Sequence, residues 1–437
     1  MNYQEAMEYM EKVGTYGIVP GLDSIRELCR RLGNPQDELK FVHIAGTNGK
    51  GSTLAYISSI LQAAGYRVGK YISPVIIEYC EKIQIGKQKI THKDLCEGLE
   101  IIKKHCDAMV SDGFHHPTPF EIETALAFWY FREKQCDIVV LETGMGGRED
   151  ATNLITTTQV AVLASIGMDH MKFLGNSLEE IAAHKTGICK PGCQVVSMRQ
   201  KEAAQKVVEQ TAAELGCMLT IADVANAKHV KYGLKKQTFD YGNYKKLEIT
   251  LAGKFQIANA VLAVEAVQAL EKCGYEIKET AIRKGLKETV WNGRLQILEE
   301  HPLFIVDGAH NEDAAAKLAD SIEFYFTNKR IIYIMGMLKD KEVDRVIALT
   351  EKYADQILTV TPPNNPRAMH AYDLATEVAK VHPNVTADSL EEAVELSQLL
   401  AGRDDVILCF GSLSYLGRIL KLMEKRQAAG NKRKAKR

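Results

Sequence analysis

A glycine-rich turn between a strand and a helix is the feature that most constrains how this chain folds. Phe41–Ala45 is a mostly apolar run of strand formers, Gly46–Ser52 reads GTNGKGS, and Thr53–Ala64 carries apolar residues at helical spacing. In this context, backbone N–H groups and the positive end of the helix bind phosphate. Lys50 is expected to reach the outer phosphates of a nucleotide, and Ser52 to contact a phosphate or its Mg²⁺. The sequence therefore predicts a nucleotide site at this turn.

The turn departs from the common phosphate-loop pattern in two places. Ile44 occupies the position of the first glycine, and Gly51 is inserted between Lys50 and Ser52. A purely structural turn is therefore an open alternative, although the flanking strand and helix favour nucleotide binding.

The composition is that of a folded protein with two domains. A chain of 437 residues exceeds one ordinary core, and 46% hydrophobic with 25% charged residues is usual for globular enzymes. The formal net charge of −1 creates no field that would attract nucleic acid or a membrane, and no apolar run is long enough to span a bilayer. The ten cysteines form no disulfide framework or zinc set, which indicates reduced thiols in a cytoplasmic protein. We expect a monomer, and we interpret the basic C-terminal NKRKAKR as a solvated tail.

Three polar residues are predicted at the carboxyl ends of strands near the glycine-rich turn. They are Ser73 at the end of the run YRVGKYISP, Glu142 after the run IVVL, and His170 at the end of QVAVLASIGMDH. Because the carboxyl ends of parallel strands share one edge of a sheet, Glu142 is expected to hold the Mg²⁺ of the nucleotide. The same position favours a ligand role for His170 over that of a core histidine. Ordinary turn or capping roles are the alternatives for Ser73 and Glu142.

The second half of the chain changes pattern twice. Short alternating strands at about residues 228–251 are predicted to be antiparallel, and a long alanine-rich helix follows at Leu251–Leu270. Within it, Asn259 is expected either to contact the adenosine part of a nucleotide or to be a buried, hydrogen-bonded amide. After the boundary at WNGRLQ, strands alternate with helices, which predicts a parallel sheet. We therefore expect domains at residues 1–295 and 300–437.

Eight motifs together resemble those of one known family, the folylpolyglutamate synthase/dihydrofolate synthase family of Mur-type, ATP-dependent amide ligases. They are AGTNGKGS (Ala45–Ser52), YISP (Tyr71–Pro74), PFE (Pro119–Glu121), ETGMGGREDATN (Glu142–Asn153), DHMKFLG (Asp169–Gly175), HKTGI (His184–Ile188), NGRLQ (Asn292–Gln296) and DGAHN (Asp307–Asn311). The resemblance implies an α/β fold: a P-loop NTPase-like, parallel-sheet ATPase domain with a small antiparallel sheet, followed by a Rossmann-like α/β C-terminal domain.

The resemblance also implies roles for individual residues. ATP is expected to contact Thr47, Asn48, Gly49, Lys50, Gly51, Ser52, Asn259, Arg294, Asp307 and His310. Two Mg²⁺ ions are expected at Ser73, Glu142, His170 and Lys185. The folate-type substrate is expected to contact Pro20, Phe120, Glu121, Glu149, Asp150 and Ala151. The expected catalytic residues are Lys50, Lys185, His170 and Arg294.

Lys185 matches a lysine that members of this family carry as a carbamate. Addition of CO₂ converts the cationic amine into a carboxylate that two metal ions can use. The family usually has an acidic residue before this lysine and alanine after it, whereas His184 and Thr186 flank it here. His184 is instead a candidate for an additional hydrogen-bond donor behind the metal site.

The activity implied by the resemblance is the addition of L-glutamate to the γ-carboxyl of a folate through an acyl phosphate. We favour polyglutamylation of (tetrahydro)folate, with addition of glutamate to dihydropteroate as a second activity. A dihydrofolate synthase alone, a P-loop kinase or NTPase of other specificity, and a non-enzymatic nucleotide-binding module are the alternatives. The segment before Gly46 is short, which argues against a peptidoglycan-precursor ligase with a separate N-terminal substrate domain.

Overall fold

Helices and strands alternate through most of the chain in the computed structural model, which describes residues 1–16 and 21–434. The helices are α1 (Tyr3–Val13), α2 (Asp23–Arg31), α3 (Lys50–Ala63), α4 (His92–Ser111), α5 (Pro119–Glu133), α6 (Met171–Leu174), α7 (Leu178–Thr186), α8 (Glu202–Glu214), α9 (Phe255–Lys272), α10 (Glu279–Glu288), α11 (Glu312–Tyr325), α12 (Val343–Thr350), α13 (Ala371–Val378), α14 (Leu390–Leu400) and α15 (Leu413–Lys434). The strands are β1 (Phe41–Ala45), β2 (Val68–Tyr71), β3 (Ile83–Ile85), β4 (Gln88–Lys89), β5 (Ile138–Glu142), β6 (Thr158–Leu163), β7 (Gln194–Met198), β8 (Met218–Ala222), β9 (Lys228–Lys231), β10 (Gln237–Tyr241), β11 (Tyr244–Ile249), β12 (Gln296–Glu300), β13 (Leu303–Val306), β14 (Ile331–Met335), β15 (Gln356–Thr359), β16 (Asn384–Thr386) and β17 (Val406–Phe410).

The first sheet has eight strands in the order β4-β3-β2-β5-β1-β6-β7-β8. Neighbours from β2 to β8 are parallel, and β3 and β4 form an antiparallel hairpin at one edge. Every residue of β1 and β5 is buried, as expected for parallel strands covered on both faces. Because β5 and β6 flank β1, the loops that follow these three strands lie side by side.

Helices cover both faces of this sheet. On one face α3, α9 and α10 bury an apolar core that includes Tyr56 and Val264. On the other, α1, α2, α4 and α5 bury a second core that includes Leu99 and Phe128. Full burial of such side chains contributes about 1.5–3 kcal/mol each. The small sheet β11-β10-β9 is antiparallel, as the sequence predicted, and it joins the first core through Phe239.

The second sheet has six strands in the order β12-β13-β17-β14-β15-β16. All pairs are parallel except β12 with β13, and helices lie on both faces. These two parallel-dominated sheets and the small antiparallel sheet confirm the predicted α/β fold class. The chain changes sheets at Gln296, and the division into domains at 295–300 stays a prediction.

Two predicted boundaries next to the glycine-rich turn are wrong. α3 begins at Lys50 rather than Thr53, because Gly49 adopts a left-handed conformation (φ 89°) from which the chain enters the helix directly. β6 ends at Leu163, so His170 does not end this strand. His170 lies in the following loop, with φ 52°, and caps the short helix α6.

Within the described ranges, no helix is both long and apolar enough to cross a membrane. All ten cysteines are free thiols.

Candidate functional site

The glycine-rich turn is anchored to the loop that follows β6. The backbone N–H groups of Thr47 and Asn48 donate to the Ser165 carbonyl at 2.7 and 3.2 Å. The Thr47 hydroxyl accepts from the Gly167 N–H at 3.0 Å and donates to its carbonyl at 2.9 Å. These bonds leave the first turn of α3, which starts at Lys50, to present its N–H groups and its positive end to an anion.

Two lysines from distant parts of the sequence meet at this turn. Lys50 and Lys185 donate to the same carbonyl oxygen, that of Gly46, at 3.1 and 3.0 Å. Lys185 is almost completely buried in α7. Burial, together with the charge of Lys50, lowers the pKa of Lys185 to about 7. A substantial fraction of the Lys185 amine is therefore neutral near pH 7.

Glu142 and Ser73 are adjacent, as the sequence predicted. The Ser73 N–H lies 3.4 Å from a Glu142 carboxylate oxygen, and the Glu142 side chain forms no other hydrogen bond with described residues. Burial raises the pKa of Glu142 to about 7, although Lys50 and Arg294 act in the opposite direction. A buried carboxylate with one long hydrogen bond favours the approach of a cation.

His170 is held in the loop between β6 and α6. Its Nε2 lies 3.8 Å from the Asp169 carboxylate, and burial lowers the pKa of this histidine. Asp169 in turn accepts from Lys341 at 3.1 Å, an ion pair that links the loop to the second half of the chain. Burial opposes ionisation of Asp169, but Lys341 and His170 hold its pKa at about 2.

A cavity lies between the glycine-rich turn, α9 and the loop after β13. Its lining includes seven of the ten residues predicted to contact ATP, which are Asn48, Gly49, Ser52, Asn259, Arg294, Asp307 and His310. Ser165, Phe255 and Lys317 also line it and were not predicted. The cavity therefore brings together residues separated by more than 250 positions in the sequence.

Asn259 is a buried, hydrogen-bonded amide, and its contact with a nucleotide stays a prediction. Its side chain donates to Gln256 at 3.0 Å, and Gln256 donates to the Ser52 hydroxyl at 3.3 Å. The Asn259 carbonyl oxygen packs so closely on Gly49 that a Cβ there would lie 2.6 Å away. Asn259 thus positions the glycine-rich turn, and it lines the cavity as well.

The loop after β13 is organised by backbone contacts. The Asp307 carboxylate accepts from the N–H groups of Leu295 at 2.9 Å and Ala309 at 2.8 Å. Arg294 donates to the Gly293 carbonyl at 3.0 Å. His310 Nδ1 lies 2.7 Å from the Gly308 carbonyl, and burial, reinforced by Lys341, lowers the pKa of His310 to about 4. His310 is therefore neutral near pH 7.

The residues predicted to contact a folate-type substrate have different surroundings. Phe120 packs over Gly144, where an added Cβ would lie 2.6 Å from the ring, and Ala151 is buried nearby in the same core. Asp150 is occupied locally, since it accepts from the Met145 and Thr152 N–H groups. Pro20 lies outside the described residues.

Glu121 and Glu149 differ in their surroundings. Glu121 completes a capping box at the start of α5, where one of its oxygens accepts from the Thr118 N–H at 2.7 Å. The other Glu121 oxygen is buried and has no hydrogen-bond partner in residues 1–16 and 21–434. Burial raises the pKa of this carboxyl. Glu149 is exposed beside this region.

Contacts between the two halves of the chain were not predicted from the sequence. Asn48 donates to the Asp313 carboxylate at 2.7 Å, and Asn311 donates to Asp169 at 3.2 Å. Lys317 pairs with Asp313 one helical turn away. The spacing of four residues in α11, directly after the DGAHN motif, is the signal that could have indicated this pair.

The donor set fits magnesium bound mainly through a nucleotide. Among the described residues, no group of three His, Cys, Asp or Glu side chains is clustered as in an all-protein metal site. Mg²⁺ in nucleotide sites is usually held by one or two carboxylates together with phosphates and waters, and Glu142 supplies one buried carboxylate here.

Comparison with known families identifies the class of protein. The Mur ligase middle domain family matches residues 44–267, and the Mur ligase glutamate ligase domain family matches residues 293–413. These two domains define an ATP-dependent ligase of the Mur class.

Individual relatives are more specific. The chain is 35% identical to the dihydrofolate synthase/folylpolyglutamate synthase of Bacillus subtilis, over 97% of this chain and 99% of the relative. It is 32% identical to the folylpolyglutamate synthase of Lacticaseibacillus casei, over 94% of this chain and 96% of the relative. The crystal structure of Mycobacterium tuberculosis folylpolyglutamate synthase complexed with ADP and AMPPCP superposes with a TM-score of 0.89 at 27% identity, over 97% of this chain and 99% of that one. The chain belongs to the folylpolyglutamate synthase/dihydrofolate synthase family.

Proposed function

We propose that the protein uses ATP to join L-glutamate to the γ-carboxyl of a folate, with addition of glutamate to dihydropteroate as a second activity. The observation that carries the proposal is the convergence of Lys50, Lys185 and Glu142 at the glycine-rich turn, which lines one cavity together with the loop after β13. Relatives named for each of the two activities match nearly the full chain. A further relative, E. coli FolC, was solved in complex with DHPP and ADP and has a TM-score of 0.84 at 29% identity, over 98% of this chain and 99% of that one.

The chemistry proceeds in two steps. A carboxylate oxygen of the folate attacks the γ-phosphorus of ATP, the bond to the bridging oxygen breaks, and ADP leaves with that electron pair. The amine of L-glutamate then attacks the acyl carbon, loses a proton, and expels phosphate to leave an amide. The positive charges of Lys50 and Arg294 offset the charge of the transferring phosphoryl group.

Magnesium would supply additional charge stabilisation when bound. Ser73 and Glu142 would hold one ion, and His170 with a carbamylated Lys185 would hold the second. The lowered pKa of Lys185 supports the carbamate, because only the neutral amine reacts with CO₂. Its donor bond to Gly46 places the nitrogen beside the glycine-rich turn.

Exclusion of water is required because water would hydrolyse the acyl phosphate. The bonds from Asn48 to Asp313 and from Lys341 to Asp169 hold α11 and the loop after β14 against the loops that follow β1 and β6. We assign these contacts to the closed state of the enzyme. A hinge at Gly293, where φ is 69°, would allow opening.

Two side chains on α5 support a folate site beside the glycine-containing loop after β5. Phe120 offers a ring face beside Gly144, and the buried free oxygen of Glu121 is suited to accept from a pteridine N–H. A cytoplasmic, monomeric enzyme is part of the proposal, and the ten free thiols are consistent with a reducing compartment.

ADP release, measured separately with tetrahydrofolate and with dihydropteroate, tests the proposal. We expect release with each acid only when L-glutamate and Mg²⁺ are present, and loss of activity on chelation by EDTA. ADP release with dihydropteroate but not with tetrahydrofolate would restrict the enzyme to dihydrofolate synthesis. Glutamate-independent ADP release would instead indicate a simple NTPase and would contradict the proposal.

A further inference from the structure

A second cavity, of about 320 Å³, lies on the α3 side of the first sheet, away from the nucleotide cavity. Its walls are one face of α3, the strands β2, β3 and β4, and the segment that follows α10. Trp291 and Asn292 close one end, and Trp291 packs directly on Gly51 of the glycine-rich turn. Pro74 and Ile76 line the same end, next to Ser73. The cavity therefore adjoins the proposed reaction centre without being part of it.

The floor of this cavity is a row of polar side chains across three strands. Lys70 on β2 pairs with Gln84 on β3, and Gln84 pairs with Lys89 on β4, so the three side chains share one face. Adjacent strands lie about 4.8 Å apart, and the two lysines are therefore about 10 Å apart along the row. All three side chains line the cavity.

The positive charge in the cavity is only partly compensated. Glu81 accepts from the Ile76 and Ile77 N–H groups and lies 3.5 Å from Lys89, which also pairs with Glu78. The ammonium groups of Lys70 and Lys87 form no ion pair or hydrogen bond with any residue in the described ranges. Glu288, at the exposed rim, is the other acidic residue of the lining.

A buried hydroxyl on the opposite wall also lacks a partner. Ser58 on α3 lines the cavity and is 1% exposed, yet its Oγ has no hydrogen-bond partner among the residues that the structure describes. An unpaired buried hydroxyl costs about 1–3 kcal/mol, so a ligand that accepts a hydrogen bond from it is favoured. Half-buried Lys70, whose pKa is lowered to about 8 by burial and by Lys87, gains a counter-charge from an anionic ligand.

We propose that this cavity binds the α-carboxylates of an oligo-γ-glutamyl chain, the tail that the proposed reaction lengthens. A γ-linked chain carries one free carboxylate per unit, and the row of Lys70, Gln84 and Lys89 offers donors at successive strand spacings. The inference rests on the proposed function for its substrate class. The position beside Ser73 and Trp291 places the tail next to the phosphoryl-transfer site.

The first test is a binding experiment that requires no turnover. The chain has two tryptophans, so W129F leaves Trp291 as the fluorescent reporter in this cavity. Titration with γ-linked triglutamate is expected to change Trp291 fluorescence saturably. K70M should weaken this binding about tenfold, the loss typical of one charged hydrogen bond. K284Q, which removes an exposed charge on α10, is the matched control and should bind like the W129F parent.

Two results of the titration would overturn the assignment. One is equal affinity of K70M and its parent for triglutamate, with both proteins folded as judged by circular dichroism. The other is equally tight binding of tripolyphosphate, which would show a general anion site rather than one for a carboxylate chain.

The second test uses turnover and separates the two proposals. The ratio of kcat/KM for a triglutamyl folate to that for a monoglutamyl folate is expected to fall about tenfold in K70M and to stay unchanged in K284Q. If the kcat/KM ratio is unchanged in an active K70M enzyme, the proposed site for the glutamyl tail is contradicted, but the proposed function is not. Absence of turnover with every folate in the unsubstituted enzyme contradicts the proposed function, and the titration then decides on the cavity by itself.

Discussion

Lys50 and Lys185 donate to one and the same oxygen, the carbonyl of Gly46. Burial, together with the neighbouring charge of Lys50, lowers the pKa of the Lys185 amine. The arrangement gives Lys185 a partly neutral amine near pH 7. One backbone carbonyl thus couples the lysine proposed to bind phosphate to the lysine proposed to carry CO₂.

Loss of the Lys185 amine should remove the proposed carbamate. We expect K185A to lower kcat about 10²–10³-fold, because the charge stabilisation at one metal ion is lost. Acetate or propionate should restore part of this activity by supplying a carboxylate. K172A, which changes an exposed lysine on α6, should behave like the unsubstituted enzyme with and without acetate. Full activity of K185A without added acid would contradict the carbamate role.

The ion pair between Asp169 and Lys341 should matter for closure. Both side chains are largely shielded from water, with 14% and 10% of their surface exposed. A double-mutant cycle with D169N and K341M, measured as kcat/KM for ATP, is expected to give a coupling energy on the order of 1 kcal/mol or more. The exposed pair of Lys103 and Asp107 on α4 is the control, and its coupling should be near zero. Strictly additive effects at Asp169 and Lys341 would argue against a role in closure.

Close packing of Trp291 explains why the residue inserted into the phosphate-loop pattern between Lys50 and Ser52, Gly51, is a glycine. A Cβ at position 51 would lie 2.5 Å from the indole Cζ2. We expect G51A to raise the KM for ATP about tenfold, since overpacking costs about 1–3 kcal/mol. The double variant G51A/W291L should recover most of this loss, with W291L alone as the reference. No recovery in the double variant would show that the backbone at Gly51, rather than the contact with Trp291, requires glycine.

His43 should make stability depend on pH in acid. Burial, assisted by Lys190, lowers the pKa of His43 to about 3, whereas an unfolded histidine has a pKa of about 6.5. The unfolded chain therefore binds a proton between these values that the folded protein does not. The stabilisation is complete above pH 6.5 and is lost as the pH falls toward 3.

Urea unfolding at pH 7 and pH 5 measures this effect. The unsubstituted protein should lose about 2 kcal/mol more than H43Q between the two pH values. Equal losses in the two proteins would mean that His43 is not the group responsible. Thr152, which lies 2.9 Å from His43 Nε2, is left unchanged in both proteins.

Prediction from the sequence succeeded where the signal was local. The strand, the glycine-rich turn and Glu142 were found because each is a short pattern whose neighbours along the chain determine its conformation. The predicted strand end at His170 was wrong because it also relied on a local pattern alone. The apolar run QVAVLASIG continues past Leu163, but the pairing of β6 with both β1 and β7 stops at Leu163 and ends the strand there.

Other features were missed because they depend on the path of the chain. The hairpin β3–β4 and the helices α4 and α10 have boundaries set by packing against β2, α5 and α3 rather than by caps alone. Lys341 and Asp313 carry no motif of their own, and their importance arises from contacts with residues more than 170 positions away.

The sequence by itself determined a glycine-rich turn between a strand and a helix, a carboxylate at a strand end, an α/β fold and the family of the chain. These follow from periodicity and from short motifs, which are properties of neighbouring residues. The tertiary structure decided that Lys50 and Lys185 share the Gly46 carbonyl, that Trp291 packs on Gly51, and that Lys70, Gln84 and Lys89 form one row. Such contacts arise when strand register and domain closure bring distant residues together, and no local pattern encodes them.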